Sequence, residues 1–147
     1  MYALIVFLHV LGATLWVGGH LVLAISVLPR ALKSRNPAIV LGFERGFERV
    51  GMPALLLQVL TGLWLAHNYL PRIADWFTLG ERIPAHIVAK LALLAATLLL
   101  AASARFRVIP RLTPDTLKTL AWHIVLVTLV AVLLVAVGVS VRTGLLF

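Results

Sequence analysis

The stretch Tyr2-Ala-Leu-Ile-Val-Phe-Leu-His9-Val-Leu-Gly-Ala-Thr-Leu-Trp16-Val-Gly-Gly-His20-Leu-Val-Leu-Ala-Ile-Ser-Val-Leu28 decides the fold class. It has no formally charged side chain, and it exceeds the about 20 apolar residues that one helix needs to cross a bilayer. Its two histidines stand eleven positions apart. At 100° per residue that is three turns plus about 20°, so His9 and His20 share one face, roughly 16 Å apart along the axis. Trp16 falls on the same stripe, and Gly12, Gly18 and Gly19 leave room beside it. Two imidazoles stacked on one face of a spanning helix point to two metal centres at different depths.

The remaining composition agrees with a membrane location. Of 147 residues, 62% are hydrophobic and 12% charged, against about half and about a quarter in soluble domains. There is no cysteine, which excludes disulfides, thiolate metal sites and a Cys nucleophile. The net charge of +8 raises the question of nucleic acid, but the basic residues sit in short loops between apolar segments, as in membrane proteins. The first segment lacks the basic leader and small-residue cleavage site of a signal peptide.

Four spans follow, at about 2–28, 50–70, 84–104 and 117–141. Together they predict a single all-α domain, an integral membrane four-helix bundle running up-down-up-down. Pro29 marks the end of span one, and Asn36-Pro37 has the form of an N-cap followed by proline at the first helical position. The tandem run Phe43-Glu-Arg-Gly-Phe47-Glu-Arg49 reads as a short amphipathic turn at the interface, or more plainly as a solvated helix start. Pro53 is expected to kink span two near its start. Trp76 and Phe77, in the middle loop, suit an interfacial aromatic belt. Thr113-Pro114 repeats the cap-then-proline start.

Loop charge predicts the orientation. Arg30, Lys33, Arg35, Arg45 and Arg49 lie after span one, and Arg105, Arg107, Arg111 and Lys118 lie between spans three and four. The middle loop holds only Arg72 and Arg82, offset by Asp75 and Glu81. The positive-inside rule then places both termini and the middle loop outside a bacterial-type inner membrane.

This topology sorts the histidines by depth. His9, His67 and His86 are outer; His20 and His123 are inner. Ionisable groups inside a bilayer are costly and mark function by default. Haem b in a bundle needs two imidazoles facing each other at one depth, with small residues beside them. His20 with His123 meets the depth condition inside, and His9 with His86 or His67 meets it outside. His9, His20, His86 and His123 are equally the candidate metal ligands. Each histidine also has a plain alternative, a buried imidazole bonded to a carbonyl. Lys90, one turn inward of His86, either snorkels or pairs with an ion, or acts catalytically beside a ligand carboxylate or as a proton carrier.

Short motifs add a resemblance. Leu8-His9 followed by Leu15-Trp16-Val17-Gly18-Gly19 resembles the first helix of CopD-like copper-resistance membrane proteins. Ala89-Lys90-Leu91-Ala92-Leu93 and Ala104-Arg105-Phe106-Arg107-Val108-Ile109-Pro110-Arg111 are similar to segments of the same family. The chain also resembles HemJ-type protoporphyrinogen oxidases in size and layout. With them it shares His9, the run Leu28-Pro29-Arg30, the segment Thr61 to Trp64, and the Ala-Lys-Leu-Ala-Leu helix. The resemblance implies a copper-related or haem-related membrane role, carried onto His9 and Lys90; His20 and His123 lie outside the HemJ-type pattern.

The expectation is thus a cytochrome b-like membrane protein with two haems, moving electrons to a quinone, a reactive oxygen species or another redox protein. An oxidoreductase activity is left open. Copper binding or transport is the first alternative and a HemJ-like oxidase the second. A Cu(I) path would draw on thioethers or thiolates, and the only methionines are Met1 and Met52. The lipid bilayer is the expected surrounding, a homo-oligomer is compatible with it, and nucleic acid is not expected as a partner.

Overall fold

The computed structural model describes residues 1–78 and 80–144, and among these there is no β-strand. Four helices are long and apolar enough to cross a membrane: α1 (Tyr2–Ser34), α2 (Pro37–Tyr69), α3 (Arg82–Arg111) and α4 (Leu117–Thr143). Their outward surfaces fit lipid rather than water. Ile25 and Leu99 are each 72% exposed and Trp122 67%, alongside Leu56, Leu60 and Leu133, a continuous apolar coat of the kind soluble monomers avoid.

Helix α1 extends past Pro29, where the sequence suggests a stop. Leu23–Val27 widen into a π turn, and the Leu28 N–H bonds to the carbonyl of Leu23. Shifting the ladder by one residue accommodates a proline that has no N–H to give. The same device recurs in α3, where Ala104–Val108 form a π turn ahead of Pro110. Both π turns run into a matching exit, Val27-Leu28-Pro29-Arg30 and Val108-Ile109-Pro110-Arg111. Beyond that shared motif α1 runs on as α-helix to Ser34, whereas α3 ends in the short 3-10 turn Ile109–Arg111.

The α1–α2 turn is tight. Arg35 adopts a left-handed conformation with φ 50°, and the Asn36 N–H reaches the Ala31 carbonyl at 3.0 Å, closing α1. Asn36 Oδ1 then accepts from the Ala38 N–H at 3.0 Å and starts α2, with Pro37 at the first helical position as expected. The Phe43–Arg49 repeat stands near the start of a long helix, as its plainer reading has it. It belongs to α2, a helix of 33 residues that continues through Pro53.

Residue pairs set the packing. Tyr2 meets Tyr69 through their hydroxyls at 3.3 Å, His9 meets Thr61, and Gly19 lies under the Phe47 ring, so α1 and α2 run antiparallel. Helices α3 and α4 do likewise through His86–Ser140 and Ser103–His123. Arg82 closes the hairpin by donating to the Ser140 carbonyl at 3.1 Å, a cation at a helix C-terminus. Helix α1 also packs on α4, where the Thr128 hydroxyl lies 3.3 Å from the His20 carbonyl. Buried Leu23, Val27, Ala31, Val40, Leu117 and Leu120 form the core at the end of the bundle that carries the basic linkers. Helices α2 and α3 barely touch. That gap is where the candidate site lies.

Candidate metal site

The histidines separate by what their ring nitrogens do. His86 is 2% exposed. Its Nδ1–H donates to the Arg82 carbonyl at 2.7 Å, and Nε2 lies 3.2 Å from the Ser140 hydroxyl. His123 repeats the arrangement, with Nδ1–H on the Thr119 carbonyl at 2.9 Å and Nε2 at 3.1 Å from Ser103 Oγ. Both rings are engaged on both sides within the protein. His67 is exposed in the last turn of α2.

His9 and His20 differ. His20 Nδ1–H donates to the Trp16 carbonyl at 2.8 Å. His9 Nδ1 lies 2.8 Å from Thr61 Oγ1, whose own proton goes to the Leu57 carbonyl at 2.6 Å. Nδ1 of His9 is therefore the donor. In each ring Nε2 has no hydrogen-bond partner among the described residues and keeps its lone pair. An imidazole pinned through Nδ1–H with Nε2 bare is the form in which histidine binds metal.

Charge tells the two sites apart. Lys90 extends across to α4, with Nζ 3.8 Å from where a Cβ on Gly138 would stand, and its charge acts on His9. The acidic residues of the chain are Glu44, Glu48, Asp75, Glu81 and Asp115, and none of the ion pairs among the described residues involves Lys90. A cation beside His9 would face an unneutralised ammonium. The cleft that His20 lines holds Glu44 and Glu48 together with Arg105.

His20 lines a cleft of about 430 Å³ flanked by α2 and α3 and floored by α1 and α4. Glu44, Glu48 and Met52 reach it from α2, Arg105 from α3, and His123 from α4. The His20 ring is held by Trp16 (centroids 4.4 Å) and, edge-on, by Phe47 (5.5 Å). Trp16 is 8% exposed, and its Nε1–H is buried without an acceptor among the described residues. Such an orphan donor is uncommon and marks an unfinished polar environment.

The cleft does not fit the expected bis-imidazole haem. His20 and His123 both line it, as their depths suggest, but His123 spends Nε2 on Ser103 and the Trp16 indole lies against the His20 ring. In the other half of the bundle, His86 is likewise committed, leaving His9 without a facing free imidazole among the buried histidines. The cleft does carry residue types that bind metal ions, with His20, Glu44, Glu48 and Met52 all on its walls. It is not a preformed chelate: among the described residues no three His, Asp or Glu side chains are gathered closely enough to hold an ion.

The comparison with known families points to copper resistance. Residues 41–141 match the family model described as copper resistance protein D. The chain belongs to the CopD family. The match covers the cleft-lining parts of α2, α3 and α4, so the acidic, thioether and guanidinium groups fall within it. No curated protein and no solved structure matches the chain. CopD membership accords with the resemblance seen in the Ala89–Leu93 and Ala104–Arg111 runs, which lie within the match, and makes this a membrane protein of copper resistance.

The sequence alone singles out His20 but does not bring Glu44, Glu48, Met52 and Arg105 to the same cleft. The signal was present in the Phe43–Arg49 repeat. Its Phe47 and Glu48 stand on one side of a helix with Glu44, and all three line the cleft.

Proposed function

We propose that this CopD-family protein binds copper within the membrane, taking Cu(II) into the cleft between α2 and α3 with His20 as the anchoring ligand. The observation that carries the reading is the His20 ring: Nδ1–H is fixed on the Trp16 carbonyl, and bare Nε2 belongs to a side chain lining the cleft with Glu44, Glu48 and Met52. Imidazole and carboxylate donors suit Cu(II), while one thioether is too few for a Cu(I) relay. The second bare imidazole, His9, stands beside an ammonium and is the poorer cation site. On this reading the ion is held at the basic end, which the positive-inside rule assigns to the cytoplasm.

The test is copper titration of the purified full chain, followed by electron paramagnetic resonance. Wild type should bind one Cu(II) with nitrogen hyperfine structure from a single imidazole. His20→Gln, checked for unchanged melting, should lose that signal, whereas His9→Gln should keep it. A His20→Gln protein with wild-type affinity and spectrum overturns the assignment.

A further inference from the structure

Lys90 carries an ammonium eight residues into α3 from its start at Arg82, roughly 12 Å of helix. Among the described residues no ion pair or hydrogen bond engages it. Asp75, in the middle loop, is bound to Arg72. Glu81 precedes Lys90 by nine residues, about two and a half turns, which puts the two on opposite sides of α3. Glu44, Glu48 and Asp115 belong to the other end of the bundle. A charge inside a bilayer is costly and calls for a partner or water.

Interhelical contacts fix what stands level with it. Helices α1 and α4 run antiparallel, with Thr128 on the His20 carbonyl and Ala131 packed with Trp16. Eleven residues outward from His20 and Thr128 come His9 and Val139. On the other side of α4, His86 faces Ser140. One turn further in on α3, Lys90 reaches Gly138, with Nζ 3.8 Å from where a Cβ would stand. The His9 ring and the Lys90 ammonium therefore share one layer of the bundle. Glycine makes room for the ring as well, since a Cβ at Gly62 would come within 3.1 Å of His9 Cε1. The two hairpins supply this layer from matching positions: His9 stands twenty residues before Pro29, and Lys90 twenty before Pro110.

The layer offers one acceptor and one donor. His9 gives Nδ1–H to Thr61, so neutral Nε2 only accepts, and an ammonium only donates. A carboxylic acid satisfies both at once, its O–H turned to Nε2 and its C=O to the ammonium. The proton rests on the ligand oxygen or on Nε2; in the second case a carboxylate lies between two cations, and no other covalent bond changes. A metal cation would meet the ammonium, and a neutral alcohol would leave its charge uncompensated. We propose that His9 and Lys90 form a binding site for a carboxylic acid in the outer half of the membrane, the acid being the head of a single-chain amphiphile that enters from the lipid. Depth favours that route, because a hydrated ion would have to shed its water to reach Lys90. The sparse contact between α2 and α3 leaves the chain a way in. The site uses neither His20 nor the cleft and stands apart from the copper reading.

The experiment uses the metal-free full chain in nanodiscs of zwitterionic lipid, with dodecanoate isotope-labelled at the carboxyl. Wild type should show a protein-bound carboxyl resonance apart from that of the lipid-dissolved acid, and dodecanoate should raise its melting temperature. Lys90→Met should weaken binding at least about tenfold, and Lys90→Arg, which keeps the charge, should stay within about threefold. The exposed Lys33→Met should match wild type. His9→Leu should weaken binding several-fold and shift the bound resonance. On wild type alone, dodecanol and dodecyltrimethylammonium should bind at least about tenfold less well than dodecanoate. Acetate competing as well as dodecanoate would support the carboxylic-acid site and assign its ligand to the aqueous side. Dodecanoate binding that survives Lys90→Met, or dodecanol binding equal to it, overturns the proposal. These measurements contain no copper, so failure of either reading leaves the other intact.

Discussion

His86 and His123 make the same two hydrogen bonds at opposite ends of the α3–α4 hairpin. Each donates Nδ1–H to the carbonyl four residues earlier and turns Nε2 towards a serine hydroxyl on the other helix, Ser140 for His86 and Ser103 for His123. From 86 to 103 on α3 and from 123 to 140 on α4, the spacing is seventeen residues on both helices. At 1.5 Å per residue the two clasps stand about 25 Å apart, close to the thickness of the bilayer core. They fix the antiparallel register of the hairpin at both ends, which gives these histidines a structural use.

The first prediction concerns those clasps. Replacing His86 by alanine should destabilise the protein by roughly 1–2 kcal/mol, because interhelical polar bonds in membranes average about 0.6 kcal/mol and a fully buried serine hydroxyl also loses its bond to the imidazole. His123→Ala should cost less, since that ring is only partly buried. A double-mutant cycle should show coupling for His86 with Ser140 and for His123 with Ser103, and none for His86 with Ser103. Strong coupling of His86 to Ser103 would contradict the register.

Gly19 and Gly18 give a matched pair for the second prediction. A Cβ at Gly19 would overlap the Phe47 ring, while one at Gly18 meets nothing within 4 Å. Phe47 packs edge-on to His20, so displacing it disturbs the candidate ligand as well as the α1–α2 contact. Gly19→Ala should lower thermal stability and weaken copper binding several-fold, with Gly18→Ala near wild type in both. Equal behaviour of the two variants would count against the packing of Phe47 on α1.

Orientation supplies the third. With nine Lys/Arg on the linkers at one end of the bundle and Arg72 and Arg82 in the middle loop, Ser34 is expected on the cytoplasmic side and Thr78 outside. In the cysteine-free chain, a membrane-impermeant maleimide applied to intact cells should label Thr78→Cys and spare Ser34→Cys. The reverse pattern would place the cleft on the external face.

The spans and their apolar coat were legible because bilayer crossing imposes a length and a composition on any helix. His20 was legible as a candidate because a polar ring in such a segment stands out. What the histidines bond to was not, since Ser103 and Ser140 become partners only through the hairpin register. Nor was the cleft, because the charge pattern of Glu44, Arg45, Glu48 and Arg49 is equally that of a solvated helix start. Only the separation of α2 from α3 decides which way those side chains face. The repeated Val-x-Pro-Arg exits were in plain view, yet a proline read alone signals a helix end, and the π turn that carries the helix past it depends on backbone hydrogen bonds.

The last prediction turns on Lys90. Its ammonium lies within the bundle, near His9 on one side and against Gly138 on the other, in a half of the protein where no carboxylate belongs to any span. Buried unpaired charge opposes folding, by an amount that snorkelling and local water reduce. A residue kept for stability should therefore be improved, not harmed, by a neutral side chain of similar shape. Lys90→Met should leave thermal stability unchanged or raise it by a few degrees. It should leave Cu(II) binding in the cleft unchanged, because His20, Glu44 and Glu48 are unaffected. It should also remove the repulsion that makes His9 a poor cation site, so a second, weaker copper equivalent should become detectable and should disappear again in Lys90→Met/His9→Gln. Calorimetric titration against the two single variants and the double variant gives the stoichiometry directly. If Lys90→Met unfolds the protein, the ammonium is bonded to a group in the bundle and is structural. If the second equivalent is absent, Lys90 is not what keeps copper from His9.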